Sequence, residues 1–184
     1  MDSAFIHQAA NELVQNVGTR NIKQIARSCS LDISETSRIK DMLGLLSLYF
    51  DKPLILINSH LDKQTKQMVC GYALGHYLEH QLLMDLHTLN KFLTIKDKHI
   101  LLYEHNAFTS HLMLDSDEVY QMTKRGLDAA QISAAKRIHL NLVLVKLLEL
   151  HHLGYDLRHY HAQHHAFIKQ FNLPAHFQFD VAAG

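Results

Sequence analysis

Apolar residues recur at helical spacing near the start of the chain and through most of its second half. The first such stripe runs from Ala4 to Val17 and meets a natural stop at Gly18, and Asn21 can cap a short second helix. Asp62 precedes a third helical pattern of about twenty residues, which runs through Met68, Val69, Tyr72, Ala73, His76 and Tyr77. Further helices are predicted over 100–114, after Asp115, within 131–141 and over 142–153.

The segment between the second and third helices has the pattern of strands. Leu31 and Ile33 alternate with polar residues, which predicts a short strand. Two apolar runs, 43–49 and 54–57, flank the turn signal Asp51-Lys52-Pro53 and predict a hairpin. The pattern therefore predicts an α+β fold with a small mixed sheet, a central helix and a helical C-terminal half.

Composition narrows the class of protein. The 184 residues suit one domain, and 18 basic residues balance 18 acidic ones, which argues against a polybasic nucleic-acid or membrane binder. Sixteen histidines predict lower stability in acid.

Two cysteines form no disulfide framework, and Cys70 lies in an apolar context that predicts a buried thiol. No signal peptide or membrane span is evident, so we expect a cytoplasmic protein.

The most informative stretch is a strand ending in Ile57-Asn58, followed by a helix that contains Leu74-Gly75-His76-Tyr77-Leu78-Glu79-His80. It resembles the ImmA/IrrE family of metallopeptidases, whose helix carries Ala-His-Glu-Leu-Gly-His. Gly18-Thr19-Arg20-Asn21 and the segment 103–112 resemble two further family segments, in the same order. The resemblance implies a zincin-like domain over 1–115, with a helical module over 116–184 packed on it.

The residues that carry the family's chemistry are largely replaced. The first histidine of HExxH aligns with Tyr72, the general base with Ala73, and the third ligand with Leu102. His76 remains as a ligand, and Asn106 remains beside the site. A single histidine does not hold zinc, and alanine cannot accept a proton. The resemblance therefore implies the fold, while no catalytic residue and no cofactor are expected at these positions.

A shifted metal site is an alternative. His76 and His80 lie one helical turn apart with Glu79 between them, and His105 lies one turn past Leu102. These three histidines could bind zinc, or they could be a helix-end residue and packing residues. The histidines between 151 and 165 likewise suit either metal binding or a solvated helix face.

The C-terminal half resembles a helix-turn-helix in outline over 131–150. Lys136, Arg137 and Lys146 would be the DNA contacts, but the neutral charge favours packing on the core or on a partner, so we do not expect direct DNA binding. The helix at 142–150 is apolar nearly all round and is predicted to be buried.

The resemblance implies an inactive regulatory protein of a phage or mobile element, which acts by binding a protein partner such as a helix-turn-helix repressor. Two alternatives stay open. One is an active metallopeptidase with a rearranged metal site that cleaves the repressor. The other is a DNA-binding regulator that uses the C-terminal module.

Overall fold

The computed structural model describes residues 2–50, 52–82, 93–95 and 103–157, with the backbone alone described at 80–82 and 93–95. Within these ranges the chain forms seven helices and a small four-stranded sheet, which α2 and α3 contact. The helices are α1 (Ser3–Val17), α2 (Ile22–Ser28), α3 (Lys63–Leu82), α4 (Tyr103–Met113), α5 (Ser116–Lys124), α6 (Ala129–Lys136) and α7 (Leu140–His152). The strands are β1 (Asp32–Thr36), β2 (Gly44–Tyr49), β3 (Lys52–Asn58) and β4 (Leu93–Ile95).

The sheet has the order β1-β3-β2-β4 and is mixed. β1 runs parallel to β3, and β2 and β3 form the predicted antiparallel hairpin, in which Leu46 faces Ile55. The α+β class and the mixed sheet are thus confirmed. β4 pairs antiparallel with β2 and was not predicted from the sequence. Its three residues at the sheet edge are too few to give an alternating pattern.

Local capping residues begin and end the helices where the sequence indicates. The Asn21 side chain accepts the backbone N–H groups of Lys23 and Gln24, and Asp62 Oδ1 accepts those of Gln64 and Thr65 at 2.8 and 3.0 Å. α1 ends at Gly18, whose φ of 75° is in the left-handed region that glycine adopts without strain. The side chains of Asn21 and Asp62 thus satisfy backbone N–H groups that a helix leaves unpaired in its first turn.

The C-terminal helices pack on the rest of the molecule. α7 is buried on all sides between Leu142 and Leu150, as predicted, and it contacts α4, α5 and α6. Asp128 and Gln131 form a reciprocal capping box at the start of α6. The division of the chain at residue 115 stays a prediction, and the His-rich segment from 158 onward lies outside the described residues.

In the part of the chain that the structure describes, no helix has both the length and the apolar character needed to cross a bilayer. The cytoplasmic location remains a prediction.

α3 and α4 approach each other closely at Gly71. A Cβ atom at this position would overlap Cγ2 of Thr109, a buried β-branched side chain of α4. One turn later on α3, a Cβ at Gly75 would lie 3.4 Å from the nearest atom, Cδ1 of Phe108. Gly71 therefore sets the distance between the helices, whereas a methyl group at Gly75 would fit.

We predict that Gly71→Ala lowers the free energy of unfolding by about 1–3 kcal/mol, because overpacking forces the helices apart. Gly75→Ala is the matched control. It adds the same methyl group to the same helix without overlap, and its higher helix propensity offsets the tight contact. Urea denaturation of both variants measures the difference, and equal stability of the two would contradict the close-approach interpretation.

Candidate functional site

The candidate site lies where α3 crosses α4, with His105 at its centre. The His105 ring is in edge-to-face contact with the rings of Tyr72 and His76, at centroid distances of 5.1 and 5.3 Å. Its Nε2 is 2.8 Å from Oε2 of Glu79. His76, Glu79 and His105 each place one potential metal-ligand atom within 4.8 Å of the other two. We call these three residues the α3–α4 cluster.

Exposure within the α3–α4 cluster is uneven. The His105 side chain is 8% exposed, whereas that of Glu79 is 40% exposed. The buried Nδ1 atom of His105 has no hydrogen-bond partner among the residues that the structure describes. Buried polar atoms are nearly always paired, so this nitrogen needs an explanation. The cluster is therefore a buried imidazole with one solvent-facing carboxylate.

The structure locates most of the predicted site residues. His76 lies near His105, as the shifted-site hypothesis requires, and Asn106 is fully buried on α4. The backbone of His80 continues α3, but its side chain and all of Leu102 lie outside the described residues. The sequence analysis named Glu79 only as the residue between two histidines. Its pairing with His105 depends on a distance between helices, which spacing along one helix cannot show.

Tyr72 and Ala73 do not provide zinc ligands. Both are buried in the core between α3 and its neighbours. Burial, together with the Glu79 carboxylate, raises the pKa of the Tyr72 phenol to about 12, so it stays protonated at neutral pH. Ala73 has no donor atom. The residues at these two positions therefore do not fit a zinc ion.

Residues 33–148 match the model of the IrrE N-terminal-like domain, peptidase family M78. The match covers more than half of the 184 residues. The chain belongs to the IrrE N-terminal-like family. This confirms the resemblance to ImmA/IrrE proteins and the zincin-like α+β fold. Searches of curated proteins and of solved structures found no significant match.

Membership makes zinc the metal that the fold implies, because M78 is a family of zinc metallopeptidases. In this IrrE-like domain, however, ligand atoms converge one turn further along α3 than the positions of Tyr72 and Ala73. Tyr72 and Ala73 thus lack the imidazole and the carboxylate that the catalytic mechanism of the family's peptidases requires.

A second cluster of polar side chains is sealed between α1, α4 and α7, and the sequence analysis did not predict it. Lys146 and Glu149 of α7 are both 0% exposed. Lys146 Nζ donates to His111 Nδ1 at 2.7 Å and to Ser116 Oγ at 2.9 Å. Glu149 accepts from His111 Nε2 at 3.1 Å and also from the hydroxyls of Ser3 and Tyr103. We call this set the α7 network.

Burial and hydrogen bonding set the protonation states of the α7 network. Burial lowers the pKa of Lys146 to about 7, with the Arg20 guanidinium adding to the effect. Burial also lowers the pKa of His111 to about 4, and a neutral ring with its proton on Nε2 satisfies both partners. Burial alone would raise the pKa of Glu149, but bonds from His111, His152 and Tyr103 outweigh it and lower the pKa.

The position of Lys146 corrects one alternative for the C-terminal module. A lysine that is fully buried and donates to two internal acceptors is not available to a DNA phosphate. Lys136 is held by Glu118 at 2.7 Å. The direction of one lysine in a nearly all-apolar helix cannot be read from the spacing of residues, so the buried position of Lys146 became evident only in the structure.

We predict that acid destabilises the fold partly through His111, which faces Lys146, Glu149 and His7. Its folded pKa lies below its unfolded value, so the unfolded state binds more protons and stability is lost as the pH falls from about 6.5 to about 4. The loss between pH 7 and 4.5 is about 2–3 kcal/mol from this residue.

The matched variant is His111→Gln, because an amide can accept from Lys146 and donate to Glu149 without titrating. Urea denaturation at pH 7 and pH 4.5 should show a smaller loss in the variant than in the unmodified chain. The other histidines are present in both proteins, so their contributions to the pH dependence of stability cancel in the comparison. An identical loss would exclude His111 as a source of the acid sensitivity.

Proposed function

We propose that this IrrE-like protein regulates by binding a helix-turn-helix repressor without cleaving it, as a member of its family that has lost the peptidase chemistry. The observation that supports this most directly is the burial of Tyr72 and Ala73 at the positions of the family's first zinc ligand and general base. A buried phenol and a methyl group replace the imidazole ligand and the carboxylate base that the family's chemistry uses. The association with phages or mobile elements is part of the same proposal.

The loss of these groups has a large kinetic consequence. General-base catalysis typically supplies about 10²–10⁴-fold in rate, and a metal adds charge stabilisation and an activated water.

Arg20, which belongs to the Gly-Thr-Arg-Asn segment, supports the fold. Its guanidinium donates to the carbonyl oxygens of His111 and Leu112 and pairs with Asp115 at 2.9 Å. The scaffold is thus retained while the peptidase residues are not.

An exposed aromatic pair offers a surface for the partner. Tyr49 and Phe50 follow one another at the end of β2, are 63% and 83% exposed, and have ring centroids 4.6 Å apart. Phe50 has a φ of 48° because it lies in the two-residue turn between the paired residues Tyr49 and Lys52. Exposed aromatic side chains are typical of protein interfaces. We assign this pair to the contact with the repressor.

We predict that the protein leaves its repressor at full length, with or without added zinc. The test incubates tag-free protein with helix-turn-helix repressors encoded in the same genome and follows binding by co-purification and integrity by mass spectrometry. Tyr72→His alone should not produce cleavage, whereas Tyr72→His combined with Ala73→Glu and Leu102→Glu should restore zinc binding at positions 72, 76 and 102. Chelator-sensitive cleavage by the unmodified chain would refute the proposal and favour the rearranged metallopeptidase.

We also predict that Tyr49→Ser combined with Phe50→Ser weakens repressor binding by at least about tenfold, the effect of losing one strong interface contact. Stability should change little because both side chains are largely in water. Phe5→Ser is the matched control, since Phe5 is an aromatic residue on α1 that is 55% exposed. Isothermal titration of the three proteins measures the difference. Equal affinities would show that the partner binds elsewhere.

A further inference from the structure

We propose that His76, Glu79 and His105 bind one divalent ion of the zinc class at the crossing of α3 and α4. This site is distinct from the family's own, because two of its three residues lie outside the positions that align with the family's ligands. The inference concerns metal binding alone, so it stands apart from the proposed function and can fail or hold independently of it.

The donor atoms are close to the spacing that a metal needs. Zinc bonds of about 2.0–2.1 Å in a tetrahedron keep neighbouring ligand atoms about 3.3 Å apart. In the structure the three ligand atoms lie within 4.8 Å of one another. Glu79 Oε2 and His105 Nε2 are hydrogen-bonded at 2.8 Å, and this pair would open to about 3.3 Å around an ion. Small side-chain rotations of His76 and Glu79 would close the remaining distance, while His105 stays in place.

The helices limit how far the cluster can spread. His105 is held because the Thr109 hydroxyl donates to its carbonyl oxygen at 2.6 Å, and Thr109 fills the contact with Gly71. The Cα of His105 would lie 3.7 Å from a Cβ at Gly75, one residue before His76. The two imidazoles therefore come from backbone segments whose separation is fixed, which lowers the cost of ordering the ligands.

Only one nitrogen of the His105 ring has a partner among the residues that the structure describes. Its Nδ1 is buried and has no hydrogen-bond acceptor or donor among the described residues. An imidazole binds metals through either ring nitrogen, so this side chain carries one nitrogen paired with a carboxylate and one that is available.

The chemistry of the donors selects the class of ion. Two imidazole nitrogens and one carboxylate suit zinc and its first-row neighbours, whereas magnesium and calcium prefer oxygen donors. Glu79 is 40% exposed, so the cluster opens to solvent on one side. That opening gives the ion a route of entry and leaves a position for a water molecule.

The test uses the tag-free full chain, stripped with a chelator and dialysed against zinc or cobalt. We expect about one equivalent of retained zinc by elemental analysis, and the visible absorption of four-coordinate cobalt with Co²⁺. Glu79→Gln and His105→Asn should each weaken binding by at least about 100-fold, since even residues that only support a ligand cost 10–100-fold. Thermal denaturation of the stripped proteins checks that each variant folds.

Two controls separate the cluster from the other histidines. His60→Asn removes an exposed histidine elsewhere on the surface and should leave binding intact. Joint replacement of four histidines by Asn should also leave one equivalent of zinc bound; these are His159, His161, His164 and His165. Absence of a bound equivalent, its loss in the joint variant, or loss in His80→Asn with full retention in Glu79→Gln would overturn the proposal.

Discussion

The close crossing of α3 and α4 at Gly71 is the constraint on which the candidate site depends. Glycine is required there because the Thr109 side chain occupies the space of a Cβ atom. Thr109 is one turn beyond His105 on the same face of α4, and its hydroxyl bonds the His105 carbonyl. The contact that sets the distance between the helices thus also sets the position of the central imidazole, and the α3–α4 cluster follows from the packing.

α4 carries two histidines that lie in different environments. His105 faces α3 and pairs with a carboxylate that reaches solvent, whereas His111 faces α7 and is sealed among Lys146 and Glu149. In the α7 network each charged group has several partners, and removal of one would leave a buried charge uncompensated at a cost of about 3–5 kcal/mol. Such a network holds α1, α4 and α7 in one arrangement. A ligand can then bind only on the side of α4 that faces α3, where the Glu79 carboxylate reaches solvent.

Local signals explain what the sequence could predict. Asn21, Asp62 and Gly18 act on backbone groups within a few residues, so helix ends followed from the pattern. The hairpin and the buried α7 followed from apolar runs. β4 did not, since three edge residues carry no period. The pairing of Glu79 with His105, 26 residues apart, and the burial of Lys146 depend on how helices pack, which a single sequence does not encode in readable form.

On the face of α3 that carries residues 72, 76 and 79, burial decreases toward Glu79, and this gradient decides where a ligand can bind. Tyr72 and Ala73 are almost wholly buried, His76 is half-buried, and the Glu79 side chain is 40% exposed. A carboxylate or imidazole at position 73 would need its own buried partner, because an unpaired polar group there costs several kcal/mol. With Tyr72 and Ala73 the first turn of the motif instead contributes to the core. The polar atoms that remain are those of the next turn, where water reaches the carboxylate and an ion could enter without opening the fold.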